Sequence, residues 1–296
     1  MLSILIPTYN YNVFPLAKAL SAEAENISHP IEIIFLDDAS SLYFAETEKL
    51  ETLPFIRYYK LAENGGRTTT RNLLAEKATY SKLLFLDADV VPVHTDFITR
   101  YLKYIDKKGI VLGGITYKKE KPDTNEILRW TYGHARETLT VTQRNKAMYS
   151  SITTACFLIE KELFLEINKT IKIKTYGEDL LFKQKLEAQK IPVLHIDNPV
   201  YHLGLESNEQ FLQKSLEAID TTLVLEETGE LPTDSRNIQK IYLKLKKWHA
   251  VPLFQLYYST ISSKVKRNLL SEDPNMRWFD LYRLQYYIQL KQKKIA

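Results

Sequence analysis

The sequence is poor in cysteine and lacks long apolar runs, internal repeats and low-complexity segments. Its single cysteine, Cys156, cannot build an intramolecular disulfide framework, which favours a reducing compartment. No apolar run reaches the roughly 20 residues that a membrane-spanning helix needs. No signal peptide is recognised before the first strand-like segment, residues 3–7, so a cytoplasmic location is expected.

The overall composition is that of an ordinary globular protein, but the charge is distributed unevenly along the chain. The 296 residues are 45% hydrophobic and 26% charged, which suits one large α/β domain, alone or with an appendage. Residues 236–296 contain 13 lysine or arginine residues and 3 acidic residues, a balance of +10. Because the whole chain carries +4, residues 1–235 carry −6. This asymmetry indicates either an anionic partner for the C-terminal segment or a solvated helical face.

An apolar run that ends in two carboxylates, Asp87 and Asp89, organises the rest of the chain. A continuous apolar run such as residues 83–86 is typical of a buried strand in a parallel sheet. Open α/β sheets bind ligands at the carboxyl ends of their strands. Two neighbouring carboxylates repel each other unless a cation lies between them, and oxygen ligands suit Mg²⁺ or Mn²⁺, which also bind phosphates. The pair therefore predicts a metal and diphosphate site, with a solvated turn as the alternative.

Two earlier predicted strands end in polar residues in the same way. The strands span residues 2–6 and 31–36, and the polar residues that follow them are Thr8, Tyr9, Asn10, Asp37 and Asp38. Helical periodicity separates the strands, which is the alternation of a mostly parallel sheet covered by helices. Since parallel strands end at one edge, all of these side chains are expected to converge on one crevice.

The remaining predicted elements complete an α/β fold with a helical C-terminal extension. The helices predicted in the first half span residues 15–25, from Ser40 or Ser41 to about 50, and 67–78, with a strand over 55–59. The second half is predicted to contain a helix over 96–107, single strands over 110–117 and 151–159, a helix over 180–189 and a strand over 191–196. The chain beyond Glu206 is predicted to be helical.

Six segments, in this order, resemble the motifs of the family 2 glycosyltransferases, which have the Rossmann-like glycosyltransferase-A fold. The segments are Ser3–Asn10, Phe35–Ser40, Asn64–Gly66 with Arg71 and Asn72, Leu86–Asp89, Glu178–Asp179 and Val200–His202. The one departure is Ala39, which stands where the family often has glycine, a mild change. The resemblance implies a catalytic domain over residues 1–206, with a nucleotide-binding half (1–92) and an acceptor half (93–206). The helical basic and aromatic extension over 207–296 lies outside it.

The resemblance also implies an activity, which is the inverting transfer of a sugar from a nucleotide sugar, usually a UDP-sugar, with Mn²⁺ or Mg²⁺. The acceptor is expected to be a glycan or a lipid-linked molecule in polysaccharide synthesis of the bacterial cell envelope. Inversion is a single displacement, so the acceptor hydroxyl needs a base and the leaving diphosphate needs a countercharge.

Each predicted site residue is a position of this chain that matches a family motif or adjoins one. The residues expected to bind the nucleotide sugar are Thr8, Tyr9, Asn10, Asp37, Asp38, Gly65, Arg67, Arg71, Asp87 and Ala88. The expected metal ligands are Asp89, as the direct ligand, Asp87 and His202. Asp179 is the expected general base, with Glu178 as its substitute.

Structural roles compete with these assignments. Asp179 starts a predicted helix and can serve only as a cap or first-turn acid. His202 can be a structural histidine at a strand end, and Arg67 and Arg71, one turn apart, can be a surface pair. Cys156, in an apolar strand, is expected to be inert packing.

Two other functions remain open from the sequence. The segment from Asp87 to Val91 also matches the nucleophile motif of haloacid-dehalogenase-like phosphatases, although that motif normally follows the first strand and here follows the fourth. The second alternative is a non-catalytic protein of the same fold that binds glycan or nucleotide. No nucleic-acid motif is present.

The C-terminal extension has the pattern of an interfacial helix. Ile238, Ile241, Leu245 and Trp248 recur at helical spacing with lysines between them. Such a helix can lie on an anionic membrane, here the cytoplasmic face of the inner membrane, with its apolar face down. The alternative is that the same stripe packs the extension helices onto the catalytic domain.

Overall fold

The computed structural model describes residues 1–171 and 177–293. The helices are α1 Phe14–Ala24, α2 Arg67–Lys77, α3 Phe97–Leu102, α4 Ile127–Arg136, α5 Val141–Lys146, α6 Lys161–Asn168, α7 Glu178–Ala188, α8 Asn208–Glu227, α9 Asn237–Lys247, α10 Val251–Leu269 and α11 Met276–Lys293. The strands are β1 Leu2–Thr8, β2 Ile31–Asp37, β3 Ile56–Lys60, β4 Lys82–Leu86, β5 Val90–Pro92, β6 Ile110–Leu112, β7 Ile115–Thr116, β8 Cys156–Glu160, β9 Val193–His195 and β10 Val200–His202.

Seven strands form a large, mostly parallel sheet in the order β3-β2-β1-β4-β8-β6-β9. Strands β3, β2, β1 and β4 are parallel to their neighbours, as are β6 and β9, whereas β8 runs antiparallel to both β4 and β6. The apolar side chains of β1, β2 and β4 are almost completely buried, as expected of strands covered by helices. The predicted fold class, an α/β sheet covered by helices with a helical C-terminal extension, is confirmed.

The strand order reverses next to β1. The chain proceeds from β1 to β2 and β3 on one side, and then returns to place β4 on the other side of β1. The register aligns Thr8 with Asp37 at the carboxyl ends of β1 and β2. In open α/β sheets, the crevice at such a reversal is where ligands bind.

A second, three-stranded sheet has the order β5-β10-β7. Its strands contain only two or three residues each, which is too short for a periodic pattern in the sequence. Strand β10 is antiparallel to β5 and pairs His202 with Val90, the residue after Asp89. This small sheet therefore brings a late segment of the chain to the end of the Asp87–Asp89 stretch.

Three predicted elements of the second half of the chain differ from the structure. The single strand predicted over 110–117 is wrong, because Gly113 and Gly114 divide it into β6 of the large sheet and β7 of the small sheet. A Cβ at Gly113 would lie 2.1 Å from the carbonyl oxygen of Asn198, and Gly114 has a φ of +100°. The predicted helix over 96–107 is shorter, and the strand predicted from 151 begins only at Cys156.

The helix predicted after β2 is also wrong, because the polar residues there form a turn instead. Ser40 does not cap a helix: its backbone N–H donates to Asp37 (2.7 Å), and its hydroxyl accepts from the N–H of Asn10 (2.7 Å). Ala39, between them, has a φ of +58°, the left-handed region that favours glycine. A 3₁₀ helix follows only at Ala45–Thr52.

The described residues divide into two compact units. One contains 1–118, 137–171 and 182–204, and the other contains 119–136, 177–181 and 205–293. Within the first unit, the rings of Phe85, Phe157 and Phe164 stack in the core, with centroids 5.0 and 4.4 Å from that of Phe85. The second unit is helical and has two apolar clusters built from α4, α8, α9, α10 and α11.

The helical unit includes residues 119–136 because polar contacts attach them to α8. The side-chain oxygen of Asn208 accepts from the N–H of Leu128 (2.9 Å), and its Nδ2 donates to the carbonyl of Thr124 (2.8 Å). The predicted acceptor half, residues 93–206, includes these residues. The functional division into catalytic domain and extension stays a prediction.

The left-handed turn at Ala39 generates a stability prediction. Replacing Ala39 by glycine removes a Cβ from a conformation that costs an L-residue about 1–2 kcal/mol, against about 1 kcal/mol of added backbone entropy in the unfolded chain. We therefore expect Ala39→Gly to leave the free energy of unfolding unchanged or to raise it by up to about 1 kcal/mol, as measured by urea denaturation.

The matched control is Ala19→Gly, at an exposed position inside α1. There the same substitution should lower the free energy of unfolding by about 1 kcal/mol. Equal losses for the two variants would contradict a strained conformation at Ala39.

Candidate active site

The first part of the site is the turn region at the carboxyl ends of β1 and β2, where two buried aspartates hold the backbone of neighbouring loops. Both oxygens of Asp38 accept from backbone N–H groups, those of Gly65 (2.7 Å) and Gly66 (2.9 Å). Asp37 accepts from the hydroxyl of Tyr58 (2.6 Å) in addition to Ser40. Burial and this hydrogen bond raise the pKa of Tyr58 above its ordinary value. The aspartates thus fix the loop that leads into α2.

The other predicted residues of this region lie close by. Thr8 ends β1, and its hydroxyl is buried with no hydrogen-bond partner among the described residues. The side-chain oxygen of Asn10 accepts from the N–H groups of Ser41 (2.9 Å) and Leu42 (3.0 Å), and Tyr9 is more than half exposed. An exposed aromatic ring beside a buried hydroxyl is suited to contact a planar base.

Asp87 lies between two arginines of α2. Arg67 donates to both of its oxygens (2.9 and 2.7 Å), and Arg71 donates to one (2.7 Å). The Arg71 side chain is only 7% exposed, so the interpretation of these arginines as a surface pair is wrong. Both arginines also bind Thr154, just before β8, through its hydroxyl (3.1 Å) and its carbonyl (2.8 Å). Two guanidinium groups at one edge of the sheet are suited to bind phosphate oxygens.

Asp89 has a different partner. Its Oδ2 lies 3.2 Å from Nε2 of His202, which the pairing of β10 with β5 brings there. Burial by itself raises the pKa of Asp89, but the hydrogen bond and charge of His202 and the charge of Arg67 outweigh it, so the pKa is lowered. The two aspartates of the Asp-x-Asp motif therefore have different partners: Asp87 pairs with arginines and Asp89 pairs with a histidine.

Two residues that the sequence did not single out, Tyr117 and Tyr11, interact with His202 and Asp89 respectively. The ring of Tyr117 packs on the imidazole of His202 with centroids 5.4 Å apart, and the Tyr117 hydroxyl donates to the carboxylate of Glu137. Burial, and then the charge of Asp89, raise the pKa of Tyr11. Aromatic residues are common throughout this chain, so no sequence signal distinguished these two.

Gly204 is a third residue that the sequence analysis missed. The N–H of Leu203 donates to the carbonyl of Asp89 (2.8 Å), so the chain after β10 passes directly over Asp89. A Cβ at position 204 would lie 2.2 Å from Asp89 Oδ2 and 2.8 Å from its Cβ and Cγ. Only glycine leaves room for the observed position of the carboxylate.

The Asp89 and His202 pair has the donor set of a divalent metal site that is completed by a ligand. Within residues 1–171 and 177–293, no three His, Cys, Asp or Glu side chains come together as a metal cluster. Mg²⁺ and related ions are commonly held by one or two protein ligands plus substrate phosphates and water. Neighbouring ligands on an octahedral ion of this size lie about 3 Å apart, close to the observed 3.2 Å. The residues present therefore fit Mg²⁺ or Mn²⁺.

The remaining predicted residues are Ala88, Asp179 and Glu178. Ala88 separates the two aspartates. Asp179 lies in the first turn of α7, among residues 177–181 of the helical unit, and the side chain of Glu178 lies outside what the structure describes. Asp87, with both oxygens bound by arginines, contributes to the arginine cluster, and its role as a metal ligand stays a prediction.

The fold and this site define an α/β protein with an Asp-x-Asp motif at a strand end, and the comparisons agree with that class. The sequence matches the profile of glycosyl transferase family 2 over residues 3–167, more than half of the chain. The protein therefore belongs to glycosyl transferase family 2. No curated protein matches the chain at a significant level.

Solved structures of low sequence identity share the fold. The mannosyltransferase PcManGT from Pyrobaculum calidifontis, solved with GDP-Man and Mn²⁺, is 16% identical with a TM-score of 0.58, over 99% of this chain and 86% of that one. Residues 1–349 of S. aureus TarS with UDP-GlcNAc are 17% identical with a TM-score of 0.50, over 99% and 91%.

Glucosyl-3-phosphoglycerate synthase from Mycobacterium tuberculosis, solved with Mg²⁺ and UDP, is 12% identical with a TM-score of 0.53, over 76% of this chain and 78% of that one. The chain spans 39% of the length of a longer TarS chain, which it matches with a TM-score of 0.48. The resemblance to the glycosyltransferase-A fold is confirmed by these structures.

The contact between Gly204 and Asp89 generates a prediction about stability. We expect Gly204→Ala to lower the free energy of unfolding by about 1–3 kcal/mol, because the new methyl group overlaps the Asp89 side chain. In an Asp89→Gly background, the same substitution should cost much less, since the overlapping atoms are gone. Chemical denaturation of the four proteins measures this coupling.

Gly229→Ala serves as the control, because a Cβ there would meet nothing within 4 Å. Its cost should come from the positive φ alone and should be the same in both backgrounds. Additive effects of Gly204→Ala and Asp89→Gly would show that the two residues do not constrain each other.

Proposed function

We propose that this protein is an inverting glycosyltransferase that moves a sugar from a nucleotide sugar, a UDP-sugar, to a glycan or lipid-linked acceptor in polysaccharide synthesis. The observation that carries the proposal is the placement of Asp89 with His202, and of Asp87 with Arg67 and Arg71, at the carboxyl edge of the sheet where the strand order reverses. Family membership supports the same reaction class.

The residues at this edge suit the parts of a nucleotide sugar. The guanidinium groups of Arg67 and Arg71 are suited to attract and orient the diphosphate. Asp89 and His202 would hold a divalent metal, which supplies countercharge for the leaving diphosphate. Thr8, Tyr9 and Asp38, with the loop of Gly65, line the end of β1 and β2 where the base is proposed to bind, as the aromatic ring of Tyr9 is exposed there.

The acceptor hydroxyl must lose a proton as it attacks the anomeric carbon. We assign this proton to the carboxylate of Asp179, with Glu178 as the substitute base. The neighbours solved with UDP-GlcNAc or GDP-Man and Mn²⁺ support a nucleotide-sugar donor, and UDP is proposed on the family resemblance.

The proposal predicts metal-dependent binding of UDP. Calorimetry should detect UDP binding in the presence of Mn²⁺ or Mg²⁺, and Asp89→Ala should weaken it by at least about tenfold, because one of two protein ligands is lost. Asp106→Ala, which removes an exposed carboxylate elsewhere, should bind as the native protein does. Metal-independent binding of equal strength would contradict the assigned metal site.

The proposal also predicts separate effects on binding and on chemistry at Asp179. Asp179→Asn should lower the transfer rate by about 10²–10⁴-fold while UDP affinity and thermal stability change little, because a base acts in the transition state. The matched variant is Glu178→Gln. Release of nucleoside diphosphate from a panel of nucleotide sugars is the readout, with p-nitrophenyl phosphate in parallel.

The outcomes of that experiment are distinct. Loss of stability or of UDP binding in Asp179→Asn would make Asp179 a capping or binding residue instead. A large loss in Glu178→Gln alone would transfer the base role to Glu178. Hydrolysis of p-nitrophenyl phosphate without any nucleotide-sugar turnover would support a phosphatase and contradict the transferase proposal.

A further inference from the structure

The helical unit exposes large apolar side chains where α9 meets α10. Trp248 (70% exposed) lies at the end of α9, and Leu253 (69%), Leu256 (65%) and Tyr257 (55%) follow in α10. The last three are spaced i, i+3 and i+4, so they share one face of the helix. We call these four residues the corner patch. Exposed apolar residues are common singly, but a contiguous set on one helix face marks an interaction surface.

The buried side of the same helices is accounted for by the unit itself. Tyr258, Val265 and Leu269 of α10 are buried in one apolar cluster, and Tyr242 of α9 is buried in the other. Ile238 and Leu245, two members of the stripe recognised in the sequence, also pack against the second cluster. Half of the stripe therefore turns inward, whereas Ile241 (45% exposed) and Trp248 do not. The corner patch is a surface that the packing of the helical unit does not use.

The charged residues on either side of the corner patch in the sequence are of one sign. Residues 237–271 contain seven lysine or arginine residues and no aspartate or glutamate. Three of them, Lys240, Lys244 and Lys247, are exposed and spaced i, i+4 and i+7 on α9, which places them on one side of that helix. Lys264, Lys266 and Arg267 are exposed toward the end of α10. Apolar side chains are thus flanked on both sides in the sequence by cations.

We infer that the corner patch docks on the surface of an anionic lipid bilayer. Interfacial helices combine aromatic and aliphatic side chains, which enter the acyl boundary, with lysines that attract anionic headgroups. No helix within the described ranges is both long enough and apolar enough to cross a bilayer, so the contact is peripheral.

The positive charge near the corner patch favours a bilayer over a second copy of this chain as the partner. In a symmetric dimer built on this patch, the same surface would face itself, so the lysines of one copy would oppose those of the other. Like charges brought together at an interface oppose association, whereas an anionic bilayer complements all seven cations. The inference stands on the helical unit alone and does not depend on the proposed sugar transfer.

Co-sedimentation with vesicles tests the inference on the full chain. The protein should bind phosphatidylcholine vesicles that contain about one third phosphatidylglycerol at least about tenfold more strongly than pure phosphatidylcholine vesicles, and added salt should weaken the binding. Leu253→Ser combined with Leu256→Ser should reduce binding to anionic vesicles by about tenfold or more, because the apolar anchor is removed. Substitution of Lys240, Lys244 and Lys247 by glutamate should abolish the preference for anionic lipid.

Matched controls separate the patch from general effects of polarity and charge. Leu42→Ser combined with Tyr43→Ser alters two exposed apolar residues of the other unit, and substitution of Lys103, Lys107 and Lys108 by glutamate makes the same change in net charge. Both controls should bind vesicles as the native chain does. All of the substituted side chains are exposed, and thermal unfolding checks that each variant is folded.

Tryptophan fluorescence gives a second, local readout. Anionic vesicles should shift the emission of the native chain to shorter wavelength, and Trp248→Phe should lose the shift although Trp130 and Trp278 remain.

Equal vesicle binding by the native chain and the Leu253 and Leu256 double variant would overturn the inference. A dimer seen by sedimentation velocity without lipid, and dissociated by the same double variant, would also overturn the inference. The corner patch would then bind a second copy of this chain.

Discussion

The charge of Asp87 is the constraint on which the carboxyl edge of the large sheet depends. Arg71 is buried over the rings of Phe85 and Phe157, with its guanidinium carbon 6.0 and 5.7 Å from their centroids. A buried cation is tolerated only when a carboxylate and further hydrogen bonds satisfy it. Nη2 of Arg71 donates to Asp87 and to the carbonyl of Thr154, and this ties α2, the end of β4 and the start of β8 together. The position of α2 in turn sets that of Arg67 and of the Gly65 and Gly66 turn.

This arrangement explains why two aspartates one residue apart have different partners. Asp87 forms ion pairs with Arg67 and Arg71, so its charge is largely neutralised within the protein. Asp89 pairs with a residue of a different kind, a histidine, which is a common metal ligand. Gly204 leaves room for the Asp89 carboxylate. A diphosphate and a divalent ion bring negative and positive charge respectively. A site with one cationic cluster and one metal-ligand pair can therefore receive both.

The helical unit shows how one sequence pattern can contain two surfaces. An apolar stripe alternating with lysines is compatible with membrane contact and with internal packing. In the structure, α9 turns Tyr242, Ile238 and Leu245 toward α8 and α11, and the lysines remain in solvent. The bend between α9 and α10, where His249 has a φ of +54°, leaves Trp248 at the corner. The apolar residues that remain exposed also include Leu253, Leu256 and Tyr257 of α10, which the periodicity of α9 did not single out.

The sequence by itself determined the elements whose signal is local. Buried strands such as Leu2–Thr8 and Ile31–Asp37 are continuous apolar runs, and the polar residues at their ends predicted that Asp37, Asp38 and Asp87 lie at one edge of the sheet. The order of the motifs was sufficient to identify the family. Only the tertiary structure decided that Arg71 is buried against Asp87, that Gly204 abuts Asp89, and that His202 reaches Asp89 through a three-residue strand. These contacts join segments far apart in the chain through strands too short to show a period. No local pattern of residues encodes them, since they depend on the packing of both sheets.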